Sequence, residues 1–151
     1  MKHSFRTASF PLLLLLAACR DSAPAPTQSA APAAPPGTAA EQIARGGERY
    51  VANCAKCHGD SGQGSEDAPP LVGKGALPLD PRPEQKRAAK FHTALDIAQF
   101  ATTNMPPRAS DRAKLAPDDY WAILAFALNA NGVAVKEPVG PGNAASIVLH
   151  P

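Results

Sequence analysis

The chain has 151 residues, one domain's worth, and only 5% of them are aromatic, so a core built from side chains alone is modest. Fifteen Lys and Arg oppose thirteen Asp and Glu, and a formal charge of +2 gives no support to nucleic-acid binding.

The chain opens with a basic segment carrying Lys2, His3 and Arg6, followed by an apolar run from Phe10 to Leu16. That run is too short to span a bilayer as a helix and reads as a secretion signal. It ends in "LAAC", Leu16 to Cys19, small residues just ahead of a cysteine in the pattern of a bacterial lipobox. The expectation is a signal peptide over 1–18 and a lipid on Cys19; the alternative is an ordinary signal cut nearby, with Cys19 incidental. Loss of Lys2 and Arg6 leaves 13 basic against 13 acidic residues, so the processed chain is formally neutral. Residues 20–38, "RDSAPAPTQSAAPAAPPGT", hold five prolines and no apolar period. Such a segment is a spacer, and its ~19 residues reach roughly 60 Å at about 3.1 Å each. Residues 19–38 thus form a lipidated tether.

The folded domain is expected over 39–132. Thr38 and Glu41 stand in capping-box spacing, and Ile43, Gly47, Tyr50 and Val51 recur at helical period, which predicts a helix over 39–52. From Gly59 to about Phe91 the chain is loop-rich, with five glycines and five prolines. A loop that long needs something to wrap. Thr93 as N-cap, Asp96 in the first turn and an inner face of Leu95, Ile97, Ala98 and Phe100 predict a helix over 94–103, stopped by "MPPR". A third helix starts at Pro117, with Asp118 and Asp119 at its positive end and Gly132 as its stop. Its face is Tyr120, Ile123, Leu124, Ala127 and Leu128. Three helices and no convincing strand make an all-α domain. Residues 133–151 are expected to form an extended tail whose "SIVL" can pack on the domain surface.

"NCAKCHG" brings Cys54, Cys57 and His58 into five positions. A structural zinc site needs about four ligands. With Cys19 lipidated the chain offers these three plus His92 and His150, and no second cysteine pair. A thiol redox pair belongs at a helix N-terminus beside a βαβ pattern, whereas this one follows a helix C-terminus. Covalent haem explains the spacing directly. Two thiols separated by two residues match the two vinyl groups on one porphyrin edge, and the adjacent His58 ligates iron from one side. A sixth ligand must then come from elsewhere, or iron stays open. Met105, in "NMPP", is the only methionine left once Met1 departs with the signal. It lies 47 residues beyond His58, between two predicted helices. His92 and His150 are its rivals.

With these elements in order, residues 39–132 resemble class I cytochromes c. "GGERYVANCAKCHG" is similar to that family's N-terminal helix and attachment site, and "NMPP" to its sixth-ligand loop. The resemblance implies a cytochrome c-like fold, about three helices and long loops wrapped around one covalently attached haem c. It also implies that Gly46 and Tyr50 cross the last helix at Ile123 and Phe126. In "PPLVG", similar to the family's Pro-x-Leu-x-Gly loop, Pro69 would accept a hydrogen bond from the proximal histidine and Leu71 would pack on the haem. Ala116 departs from the pattern, since many relatives cap that helix with Ser or Thr. "DDYWAILAFALNANG" and the ending "LHP" resemble small cytochromes that serve periplasmic dehydrogenases.

The expected function is single-electron transfer by a membrane-tethered, monomeric periplasmic cytochrome with haem c ligated by His58 and Met105. Its expected partners are redox proteins on the side of a periplasmic dehydrogenase or a terminal oxidase. The alternatives are a haem subunit fixed in a larger oxidoreductase and an open-site haem enzyme or gas sensor. Arg20, in place of the aspartate that commonly marks inner-membrane retention, points to the outer membrane. The cluster Arg82, Lys86, Arg87 and Lys90 reads as a solvated basic face; the other readings are a docking patch or a partner for the haem propionates. The lipobox has a direct consequence. Cys19→Ser should abolish lipidation and release a haem-containing protein from the membrane, and intact-mass analysis of the processed N-terminus checks it.

Overall fold

Thr38 starts the first helix by exchanging hydrogen bonds with Glu41, its Oγ1 accepting from Glu41 N at 3.2 Å while the Glu41 carboxylate accepts from Thr38 N at 2.9 Å. The computed structural model describes residues 37–83, 87–88 and 90–150; the expected signal, Cys19 and the tether up to residue 36 lie outside them. The helices are α1 (Ala39–Asn53), α2 (Ala55–His58), α3 (Ala94–Asn104), α4 (Ala109–Arg112) and α5 (Pro117–Ala130). A 3-10 turn follows at Ala144–Ser146. Among the described residues there is no strand beyond a single bridge between Thr93 and Val148. The three long helices fall where the sequence predicts them, and the one-turn α2 and α4 are too short to leave a period.

α1 lies across α5 at a distance only glycine permits. A Cβ on Gly46 would sit 1.9 Å from the Ala122 carbonyl oxygen and 2.9 Å from Phe126 Cβ. One turn on, the Tyr50 and Phe126 rings meet with centroids 5.3 Å apart. The expected contact at Phe126 is present, but the residue under Gly46 is Ala122, and Ile123 turns away to line a cleft on the opposite face. Helical geometry explains the correction. Residues 122 and 126 share a face at spacing four, while 123 shares its own with 120, 124 and 127. With α1 on one face and the cleft on the other, α5 is apolar almost all round.

The start of α5 lacks a capping side chain at Ala116, and Asp119 compensates. Its Oδ2 accepts from Ala116 N at 3.1 Å, and its Oδ1 takes Arg45 at 2.8 Å and Arg49 at 3.0 Å. α3 is capped as predicted, Asp96 accepting from Thr93 N at 2.8 Å and from its hydroxyl at 3.0 Å. It packs Ala94, Ile97 and Ala98 against Leu124, Ala125 and Leu128 of α5.

The tail is more deeply engaged than expected. Val139 and Ala144 are core residues, 2% and 0% exposed. The Gln42 amide pairs with the Val139 backbone in both directions, each bond 2.7 Å. Ile147 and Leu149 pack at the edge of the core, Leu149 N donating to His92 O at 2.8 Å. A lone valine among glycines and prolines has no period, so its partner 97 residues away leaves no trace in the local pattern.

Two adjacent glycines test the crossing. Gly46→Ala should cost about 3 kcal/mol or more, because the new methyl meets backbone that cannot yield. Gly47→Ala, whose Cβ would sit 3.5 Å from the Phe126 ring, should stabilise α1 by up to about 1 kcal/mol. Chemical denaturation of the two holo-proteins should show opposite signs.

Candidate haem site

α1 ends at Asn53 and the chain turns at once into α2, which brings Cys54 and His58 to the wall of a cleft of about 490 Å³. The cleft lies between the 69–91 loop, α3, the 105–107 segment and α5, and its lining is mostly apolar. His58 is 8% exposed, and its Nδ1 lies 2.8 Å from Pro69 O. A carbonyl only accepts, so Nδ1 carries the proton and the Nε2 lone pair is left for a metal.

The loop beyond His58 is folded back to supply that carbonyl. Gly64 N donates to His58 O at 2.8 Å, and Leu71 and Val72 donate to Gly62 O at 2.8 and 2.9 Å. Gly64 has φ +86°, and a Cβ there would lie 2.7 Å from Pro70 N. Glycine is required on both counts. Leu71 and Pro69 both reach the cleft. Sequence reasoning missed Asn131, just beyond α5. Its Nδ2 donates to Leu71 O at 2.8 Å and its Oδ1 accepts from Gly73 N at 3.0 Å. The only local signal is an asparagine before Gly132, which reads equally as a helix stop.

Met105 closes α3 as its C-cap and lines the same cleft. Its carbonyl accepts from Tyr120 Oη at 2.8 Å. The rival histidines lie elsewhere. His92 is exposed, and His150 Nε2 is 2.9 Å from Leu77 O. Among the described residues no three His, Cys, Asp or Glu side chains converge as a metal cluster would.

Cys54 and Cys57 form no disulfide. Burial, reinforced by the nearby Cys57, pushes the Cys54 thiol up to about 11, so it stays protonated at neutral pH. Cys54 lies on the cleft wall, Cys57 one turn on, half-exposed, its carbonyl accepting from Ser65 Oγ at 2.5 Å. Cys54 on the cleft wall with Cys57 one turn on, an imidazole with Nε2 available, a methionine on the same cleft and mostly apolar walls together fit a c-type haem.

The basic cluster is not one solvated face. Arg87 is 8% exposed, donates from Nη2 to Pro78 O at 3.0 Å and Asp80 O at 2.9 Å, and stands 3.7 Å over the Phe91 ring on the cleft wall. Arg82 donates to Gly75 O, and Lys90 pairs with Asp80 at 2.8 Å. Lys86 lies outside the described residues. A charge run in a loop has no period to say which of its members turns inward, and Arg87 does so because three carbonyls and a ring are there to receive it.

Asn131→Ala removes both ties to the 71–73 loop. It should destabilise the holo-protein by about 1–2 kcal/mol, since it leaves partly buried groups unpaired. Denaturant titration against Asn129→Ala, an exposed neighbour on α5, isolates the effect.

The family described as cytochrome c oxidase, cbb3-type, subunit III, matches residues 41–126. The crystal structure of the sulfane dehydrogenase SoxCD from Paracoccus pantotrophus is similar at 30% identity and a TM-score of 0.53, over 71% of this chain and 52% of that one. The chain thus spans about half the length of that relative. No curated protein sequence matches. The family match covers more than half of the residues and falls on the all-α domain that holds the cleft, so the chain belongs to this family of monohaem c-type cytochrome domains, whose cofactor is one covalently attached haem c.

Proposed function

We propose that the protein is a single-electron carrier in which Cys54 and Cys57 would attach the haem and His58 and Met105 would ligate its iron. The observation that carries this reading is that His58, with Nε2 left available by the Pro69 bond, and the Met105 segment line one apolar cleft. The bound haem supplies one-electron exchange between Fe(II) and Fe(III). Two protein ligands leave no position for a substrate, which suits a carrier and not an oxygen- or gas-binding site. A buried His/Met pair raises the potential. Through one thioether bond each, Cys54 and Cys57 would retain the cofactor in either oxidation state.

The surrounding biology in this proposal follows from the N-terminal segment. In it Cys19 bears lipid, residues 19–38 are the tether to a bacterial membrane, the outer one by the Arg20 argument, and the monomeric domain meets redox proteins in the periplasm. Among the described residues no helix is long and apolar enough to cross a membrane. A second reading, a cytochrome subunit held within a dehydrogenase, is favoured by the likeness to the SoxCD structure. Co-purification of a stoichiometric dehydrogenase subunit with the native protein supports that reading.

The ligand assignment is tested at Met105. Met105→Ala should lose the weak far-red sulfur-to-iron charge-transfer band, lower the potential and bind carbon monoxide when reduced. The covalent haem should remain. A native oxidised protein without that band at neutral pH, or one that takes up carbon monoxide readily, would sink the carrier reading in favour of an open site.

A further inference from the structure

Met105 is followed by two prolines, which have no N–H, so this stretch has no backbone donors with which to fix itself. Met105 N does bond Ala101 O at 2.8 Å, the last tie to α3. Beyond it, three consecutive carbonyls are held by side chains from later in the chain. Tyr120 Oη donates to Met105 O at 2.8 Å, and Arg112 Nη1 donates to Pro106 O at 2.7 Å and Pro107 O at 2.8 Å.

Arg112 sits at the end of α4, a four-residue helix with no buried residue. α4 therefore adds little to the core, and its strongest connection to the site is the guanidinium reaching back over six residues. The neighbouring carboxylate does not compete. Asp111 Oδ1 takes Lys114 Nζ at 2.8 Å. Bonds from a charged donor are stronger than neutral ones, and a guanidinium presents its donors on a rigid plane.

We propose that Arg112, supported by Tyr120, is a positioning residue that holds the Met105 loop so that the thioether stays on the iron. This rests on the reading of Met105 as a ligand. A thioether is a weak ligand, and its occupancy depends on how little loop freedom is lost when it binds. The clamp removes that freedom in advance. Without it, the segment opens more often and an external ligand enters.

Imidazole binding to the oxidised holo-protein, followed by stopped-flow, reads this directly, because at saturating imidazole the rate is set by departure of the sulfur. Arg112→Gln should raise that rate about tenfold, as loss of bonds from a charged donor implies. The far-red band should persist without imidazole. Arg112→Lys should recover part of the slow exchange, and Tyr120→Phe should add to the effect of Arg112→Gln. Helical melting followed by circular dichroism should stay near that of the wild type, since α4 buries nothing. An Arg112→Gln exchange rate equal to that of the wild type overturns the clamp. So does a loss of melting temperature that accounts for the faster exchange, which would make Arg112 merely structural. If Arg112→Gln does not yield folded protein, unchanged exchange in both Arg112→Lys and Tyr120→Phe overturns it equally. A wild type that lacks the far-red band and binds imidazole as fast as Met105→Ala defeats the ligand reading itself, a result distinguishable from failure of the clamp alone.

Discussion

At Gly46 the backbones of α1 and α5 approach so closely that any side chain there would meet the Ala122 carbonyl. This contact governs where everything else lies. α1 runs directly into Cys54 and His58, so its position on α5 sets where the attachment edge stands. The opposite face of α5 supplies Tyr120, Ile123 and Leu124 to the cleft. A displacement of α1 by the thickness of one methyl group would move the histidine side of the site relative to the α5 wall. Close-packed interiors do not absorb such a change locally.

The crossing is locked electrostatically as well as sterically. Asp119, 5% exposed, accepts from Ala116 N and from two arginines of α1. One carboxylate thereby caps α5 and fixes the rotation of α1 about its axis. The arrangement has a cost, because Arg45 Nε and Nη1 are buried and find no hydrogen-bond partner among the described residues. A buried ion pair is a weak source of net stability but a demanding one to break, since removal of either partner strands the other charge. Its value here is in specifying one register of α1 on α5, consistent with a site that tolerates little displacement.

The parts of the fold legible in the sequence are those whose signals are local. Thr38 with Glu41 and Thr93 with Asp96 announce their helices within four residues, and the structure pairs both, Thr38 reciprocally with Glu41 and Thr93 as donor to Asp96. The candidate site residues stand out for the same reason, Cys54, Cys57 and His58 being adjacent in sequence, and the fold puts Cys54, His58 and Met105 on one cleft. What escaped the sequence is held by one or two side-chain hydrogen bonds between remote segments. Gln42 to Val139, Asn131 to Leu71 and His150 to Leu77 join residues 97, 60 and 73 positions apart. None of these side chains differs in type from a solvated one. Arg87 shows the same limit in reverse, a member of a basic run that turns inward because three carbonyls and the Phe91 ring await it.

The two sides of the cleft are built with unequal means. His58 ends α2, which follows α1 after one residue, its backbone is tied to Cys54 and Gly64, and its ring is anchored to Pro69. Pro69 in turn belongs to a loop folded on Gly62, with Leu71 held from α5's end by Asn131. Backbone bonds make up most of these ties, and the His58 ring and Asn131 add side-chain bonds to backbone carbonyls. The Met105 side has its single backbone bond to α3, then prolines, then a helix that buries nothing. Local opening follows the density of buried contacts and backbone bonds, so it concentrates on the methionine side. Two side chains, Arg112 and Tyr120, stand where the backbone cannot contribute. A segment held this way has little freedom left to lose. The histidine side, anchored through α1 and the crossing at Gly46, supplies the fixed frame against which it is held.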